Sequence, residues 1–181
     1  IEPAPARQSG FLDFFGNSVT AITMTDPHDK LTIRLTARVQ IEEFSPPADL
    51  SPPLAQLSRE IGQYWSVAST SPQHFLAASS RVQIVPAITD YARGSAANAS
   101  TTLGVATALC MAIHQDFEYD PKATDVETRP AEAFALRKGV CQDFAHVMIA
   151  GLRGLGIPAG YVSGFLRTNP PSGQAPLEGA D

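Results

Sequence analysis

Arg137-Lys-Gly-Val-Cys141-Gln-Asp-Phe-Ala-His146, running on into VMIAGLRGLGIPAGYVSGF, is the stretch on which the fold turns. It places a cysteine just after a glycine and at the expected start of an amphipathic helix. A helix N-terminus carries about half a positive charge and several unpaired amide N–H groups, and both favour thiolate over thiol. Cys141 therefore stands where a protein would put a nucleophile. Val147, Met148, Leu152 and Leu155 recur at helical spacing, and Gly156 closes the helix ahead of an extended run, 157–165. The thiol is expected on a rigid element whose other face is held in a core.

The 181 residues are 44% hydrophobic, enough for a core in one or two domains. A net charge of −5 with no basic cluster argues against nucleic acid and acidic membranes as partners. No apolar run approaches a bilayer span, and no signal peptide opens the sequence. With two cysteines at most one disulfide can form. Cys110, inside LGVATALCMAIHQDF, reads as a buried free thiol, and a reducing cytoplasm is the simplest compartment.

The fold class read from the pattern is α+β: a partial antiparallel β-domain, residues 1–44, then a mainly helical core, 45–181. From Leu31 to Ile41 apolar and polar residues alternate strictly, which predicts a half-buried strand. SVTAITMT is its expected hairpin partner through Asp26-Pro-His-Asp-Lys30, with another turn at Phe15-Gly-Asn-Ser18. FSPPADLSPP, with Pro-Pro twice, marks the boundary. Beyond it, Leu54, Leu57, Ile61 and Trp65 predict a short helix, and 86–93 another. The long helix spans about 101–115 with Leu103, Ala106, Cys110, Ile113 and Phe117 on one face. An extended piece at 116–119, a short helix over 130–137 and a strand over 160–166 complete the pattern.

Residues 129–166, RPAEAFALRKGVCQDFAHVMIAGLRGLGIPAGYVSGFL, closely resemble the nucleophile segment of the bacterial transglutaminase-like family, within the papain-like cysteine protease superfamily. Residues 114–134 resemble that family's approach to the cysteine, and 11–42 the later strands of the β-domain that often precedes it. The resemblance implies a papain-like core and acyl transfer through a thioester, with Cys141 as nucleophile. The carbonyl attacked would be a glutamine carboxamide or a peptide bond, and the acceptor an amine or water. A protein or peptide is thus the expected partner, with no cofactor, no metal and an open oligomeric state.

Such chemistry needs a histidine for the proton and an acid or amide to orient it. In the family both follow the cysteine helix, and the sequence stops at Asp181 before a matching box, so a fragment of a longer enzyme is expected. The alternative is a degenerate member serving as a binding module. Of the four histidines, His28 and His74 read as turn or loop residues, and His114 lies at a helix end. His146 is five residues past Cys141, roughly 140° around the helix, and reads as structural. Asp143 and His146 share a face and are expected to support the helix. The Cys141 N–H is the expected first oxyanion donor, with Tyr119 and Gln142 candidates near it. A Cys141, Asp143, His146 metal trio is disfavoured because helix phase scatters the ligands. Gly160-Tyr-Val-Ser-Gly164 has the wrong spacing for a nucleophile elbow. Gly151-Leu-Arg-Gly-Leu-Gly156 lacks the nucleotide-binding order, and its nearer explanation is close helix packing followed by a cap.

Overall fold

The computed structural model describes residues 1–37, 40 and 48–164. Strands β1 (Arg7–Leu12) and β2 (Ser18–Thr23) form an antiparallel hairpin, paired from Arg7↔Thr23 to Leu12↔Ser18. Helices follow: α1 (Leu54–Gln63), a 3-10 turn (Pro72–Phe75), α2 (Pro86–Ser95) and α3 (Thr102–Asp116). Then come β3 (Glu118–Tyr119), α4 (Pro130–Leu136), β4 (Lys138–Gly139) and α5 (Cys141–Gly154). The architecture is α+β, with Cys141 opening α5.

The hairpin closes through Asp13. Its carboxylate accepts from the Phe15 and Asn17 amides at 2.9 and 2.8 Å and from the Asn17 side chain at 2.8 Å. These donors, the Asn17 side chain first, hold the Asp13 carboxyl below its usual range. Gly16, at φ 83°, supplies the left-handed turn residue. Phe14 and Phe15 then rest on His74 and Phe75 of the 3-10 turn, with ring centroids 5.1 and 5.7 Å apart.

The expected pairing of SVTAITMT with the alternating segment is not what forms. β2 pairs backwards with β1, and residues 31–37 make one isolated bridge, Thr32 to Glu2. Leu31, Ile33 and Leu35 are 42%, 63% and 81% exposed. Alternation specifies which face needs cover but names no partner, and no ladder covers it among the described residues. Arg38, Val39 and Ile41 lie outside the described residues, as does the expected domain boundary at 44.

The core is built on α5. Ile88, Ala92, Leu109, Ala133, Val147 and Ala150 are fully buried, drawn from α2, α3, α4 and α5. Two glycines let α2 approach. A Cβ on Gly151 would come within 3.0 Å of the Ala92 methyl, and one on Gly154 would overlap Thr89. The C-terminus of α5 is a Schellman cap: Gly156, at φ 79°, donates to the Arg153 carbonyl, and Ile157 to that of Leu152, both at 2.9 Å. The glycine-rich GLRGLG run is thus a packing and capping device.

Three expectations within the helical half are corrected. Trp65 lies beyond the end of α1 and is exposed. On α3 the buried stripe is Val105, Leu109 and Ile113, continued by Phe117, while Leu103 and Cys110 face out. Apolar residues surround α3, so its spacing admits two phases, and packing against α5 selects one. Cys110 is accordingly exposed, not buried. Residues 160–164 form no ladder either, and the rest of that expected strand lies outside the described residues. No helix among the described residues is long and apolar enough to cross a membrane.

Candidate active site

The approach to Cys141 is held from both sides by backbone bonds. β3 and β4 pair in parallel, Glu118 with Lys138 and Tyr119 with Gly139. The Glu118 amide donates to the Arg137 carbonyl and that of Asp120 to Gly139, both at 2.9 Å. Upstream, α4 begins at Pro130, where a proline loses no helical bond, and Glu132 accepts from the Arg129 amide at 3.2 Å. Its last turn ends at Arg137, whose N–H still reaches the Ala133 carbonyl at 3.0 Å.

Arg137 takes the left-handed conformation, φ 55° and ψ 28°. For a residue with a Cβ that costs about 1–2 kcal/mol. Its guanidinium lies over three rings: Phe134 at 3.9 Å, Tyr91 at 4.5 Å and Phe117 at 4.8 Å to the centroids. Nη1 is buried there without a hydrogen-bond partner. Tyr91 is itself tethered, its hydroxyl donating to Asp116 at 2.7 Å. Burial, reinforced by that carboxylate, pushes the Tyr91 hydroxyl up to about 12.

Gly139 follows, at φ 154°. A Cβ there would overlap Asp143 Oδ2 and fall 2.9 Å from its Cβ, so the site admits only glycine. Val140 is the N-cap of α5 and offers no side-chain acceptor. Asp143, in the first turn, reaches back instead. Its Oδ2 accepts from the Val140 amide at 2.8 Å and from the Thr124 hydroxyl at 2.6 Å. Asp143 is 1% exposed, with Oδ1 buried and unpartnered. A carboxylate at a helix N-terminus is favourable, so Asp143 stabilises the start of the helix that carries the thiol.

Cys141 is exposed and free, in the first turn, where amide N–H groups lack intrahelical acceptors. Its thiol makes no hydrogen bond to any described residue. The neighbouring Gln142 is half-buried and donates to the Val126 carbonyl at 3.3 Å. Tyr119 lies across the β3–β4 pair, exposed to solvent. Cys141 and Tyr119 are thus both exposed, while Gln142 turns its amide toward the Val126 carbonyl.

His146 is buried on the same helix. It is 7% exposed, its ring 5.3 Å from Tyr161, and Nδ1 has no partner. Burial depresses its basicity, with Asp143 acting against that and Arg81 adding to it. With Gln142 and Arg153 it lines a cleft of about 300 Å³ along α5. The two cations of this cleft are already engaged. Arg81 bonds Glu127 and the Val126 carbonyl, and Arg153 bonds the carbonyls of Ala77 and Ala159. His28, His74 and His114 are all exposed, His74 within the 3-10 turn and His114 on the last turn of α3. No group of three metal-ligating side chains converges among the described residues.

Two residues of this arrangement escaped the sequence reading. Thr124, which braces Asp143, carries no local signal. Arg137 carries one: a bulky residue at a helix end where a glycine is usual.

Cys141 thus stands exposed on the first turn of α5, led in by Gly139, in the arrangement that the resemblance of the segment 129–166 to the transglutaminase-like family implies. Comparison with known proteins agrees. The model of the transglutaminase-like superfamily matches residues 89–178, and that of the bacterial transglutaminase-like N-terminal region matches 1–40. The chain belongs to the bacterial transglutaminase-like family. Uncharacterized proteins of Mycobacterium tuberculosis and Mycobacterium bovis are 35% identical over 184 residues, covering 100% of this chain and 57% of their own. One from Mycobacterium leprae is 30% identical over 168 residues, covering 92% of this chain and 57% of its own. The chain therefore spans somewhat more than half the length of these curated relatives. A solved structure of a candidate cysteine protease from Cytophaga hutchinsonii shows a TM-score of 0.45 and 28% identity, over 49% of this chain and 30% of that one.

Proposed function

We propose that Cys141 is the nucleophile of a thiol enzyme acting on amide carbonyls of proteins or peptides. The thiolate attacks a glutamine carboxamide or a peptide carbonyl, the S–C bond forms, and the C–N bond breaks with a proton passing to the leaving nitrogen. An amine or water then attacks the thioester, the S–C bond breaks, and the thiolate is restored. The Cys141 amide, free in the first turn, is the proposed donor to the developing oxyanion, with Gln142 or Tyr119 beside it. The reading is supported chiefly by one observation: the family's cysteine is exposed at the mouth of a helix whose other residues are buried or half-buried.

In this reading the histidine that moves the proton and its acid partner lie outside the described residues. Residues 1–44 are taken as an accessory β-domain and 45–181 as the catalytic core. Two free cysteines, Cys110 and Cys141, are compatible with a reducing, cytoplasmic setting.

The test uses the full-length protein, incubated with a glutamine-rich protein and a fluorescent primary amine. Incorporation of the amine identifies transfer, and new peptide ends identify hydrolysis. Either activity, lost by at least about a thousandfold in Cys141→Ser, supports the proposal. Activity unchanged by that substitution would remove Cys141 from the mechanism. An inactive full-length protein that still binds such substrates would favour the binding-module alternative.

A further inference from the structure

Arg137 occupies a place that backbone energetics would give to glycine. It sits in the left-handed region at the end of α4, four residues before Cys141, and nothing about the turn itself requires a side chain. Yet it carries the longest side chain available, folded inward over Tyr91 of α2, Phe117 at the end of α3 and Phe134 of α4. Three separate elements thus converge on one guanidinium. Between α4 and Gly139 the other side chain, Lys138, points outward to an exposed pair with Glu118. Arg137 is therefore the side chain that ties this lead-in to the core.

We infer that Arg137 is a positioning residue for Cys141: its guanidinium, seated among three rings, fixes the reversal that aims the thiol and its amide at the substrate carbonyl. Phe117 is followed directly by β3, and the amides of Glu118 and of Asp120, just past it, grip the Arg137 and Gly139 carbonyls. The ring cage and the backbone bonds therefore hold the same few residues from inside and outside. Removing the cage frees the turn to rotate about Gly139, and a small displacement of a reacting group is enough to slow its chemistry. The inference rests on Cys141 being the nucleophile.

The test reads Cys141 against Cys110, an exposed cysteine on α3 that serves as an internal reference. Each is alkylated with iodoacetamide across a pH series in the full chain and followed separately by peptide mass. In the wild type the Cys141/Cys110 rate ratio stands well above one. Arg137→Gly and Arg137→Met lower it roughly tenfold and shift the pH profile of Cys141 alone, and Arg137→Lys recovers part of the loss by keeping a cation over the rings. Phe134→Leu removes the nearest ring without touching the turn and moves the ratio in the same direction, including where Arg137→Gly fails to fold. A high wild-type ratio left unchanged by these variants overturns the positioning role alone. So does a fall in melting temperature with the ratio intact, or both cysteines changing together. A wild-type ratio near one overturns the reading of Cys141 as nucleophile, and this inference falls with it.

Discussion

The segment from Glu2 to Ala37 and the bundle around α5 contrast in how they hold their apolar residues. In the first, Phe11, Leu12, Ile33 and Leu35 are all more than half exposed, and order comes from local bonds such as those converging on Asp13. In the second, Ile88, Leu109 and Val147 have no exposure, and the lead-in to Cys141 is held by β3 and by Thr124 through Asp143. A two-stranded hairpin offers each side chain one neighbouring strand, whereas a central helix is enclosed by several partners. The thiol is carried by the enclosed region, where its lead-in is fixed by contacts distant in sequence.

That contrast can be broken by cutting the same atoms from both regions. Leu109→Ala is expected to lower stability by about 2–5 kcal/mol in urea melts, because a cavity opens between α3 and α5. Leu35→Ala, at a side chain 81% exposed, is expected to change it by less than about 0.5 kcal/mol. Equal effects would mean that the alternating segment is buried in solution. Next in size is Gly139→Ala, which meets Asp143 and a left-handed backbone together; about 2–3 kcal/mol is expected from the same melts. Asp143→Asn keeps the size of the brace but weakens its hold on the Val140 amide, for about 1–2 kcal/mol. A loss confined to that figure would show Asp143 acting on the helix start, whereas none would mean the Thr124 and Val140 bonds contribute little.

The smallest expected effect is one of pH. His146 is held below its ordinary basicity mainly by burial, so between that lowered value and about 6.5 the unfolded chain binds a proton the folded chain does not. Stability attributable to His146 is therefore complete above that window and is lost as pH falls through it. His146→Gln should flatten this part of the stability–pH curve. An unchanged curve would mean that the imidazole holds its proton equally well in the folded and unfolded chain.

The legibility of the molecule follows the same division. The extent of α5, its start at Cys141 and its end at Gly156 were readable because each is set within a few residues by spacing and cap chemistry. The buried face of α3 was not, since an all-apolar helix leaves its phase to its neighbours, and Cys110 was misplaced with it. The alternating run announced a face but not a partner: its described residues, 31–37, make only the bridge at Thr32, while β2 pairs with β1. At the site, Cys141 was legible from its local setting, but the burial of Asp143 and His146 was a matter of what packs over them.

What the sequence alone determined is local: a cysteine at a helix mouth, a glycine that admits Asp143, prolines that start α2 and α4. What only the tertiary structure decided is which distant groups complete those local features. Thr124 braces Asp143 from 19 residues away, and Tyr91 meets Arg137 across two intervening elements. Hydrogen bonds and ring contacts act over a few ångströms of space, and only the folded chain brings such residues within that reach.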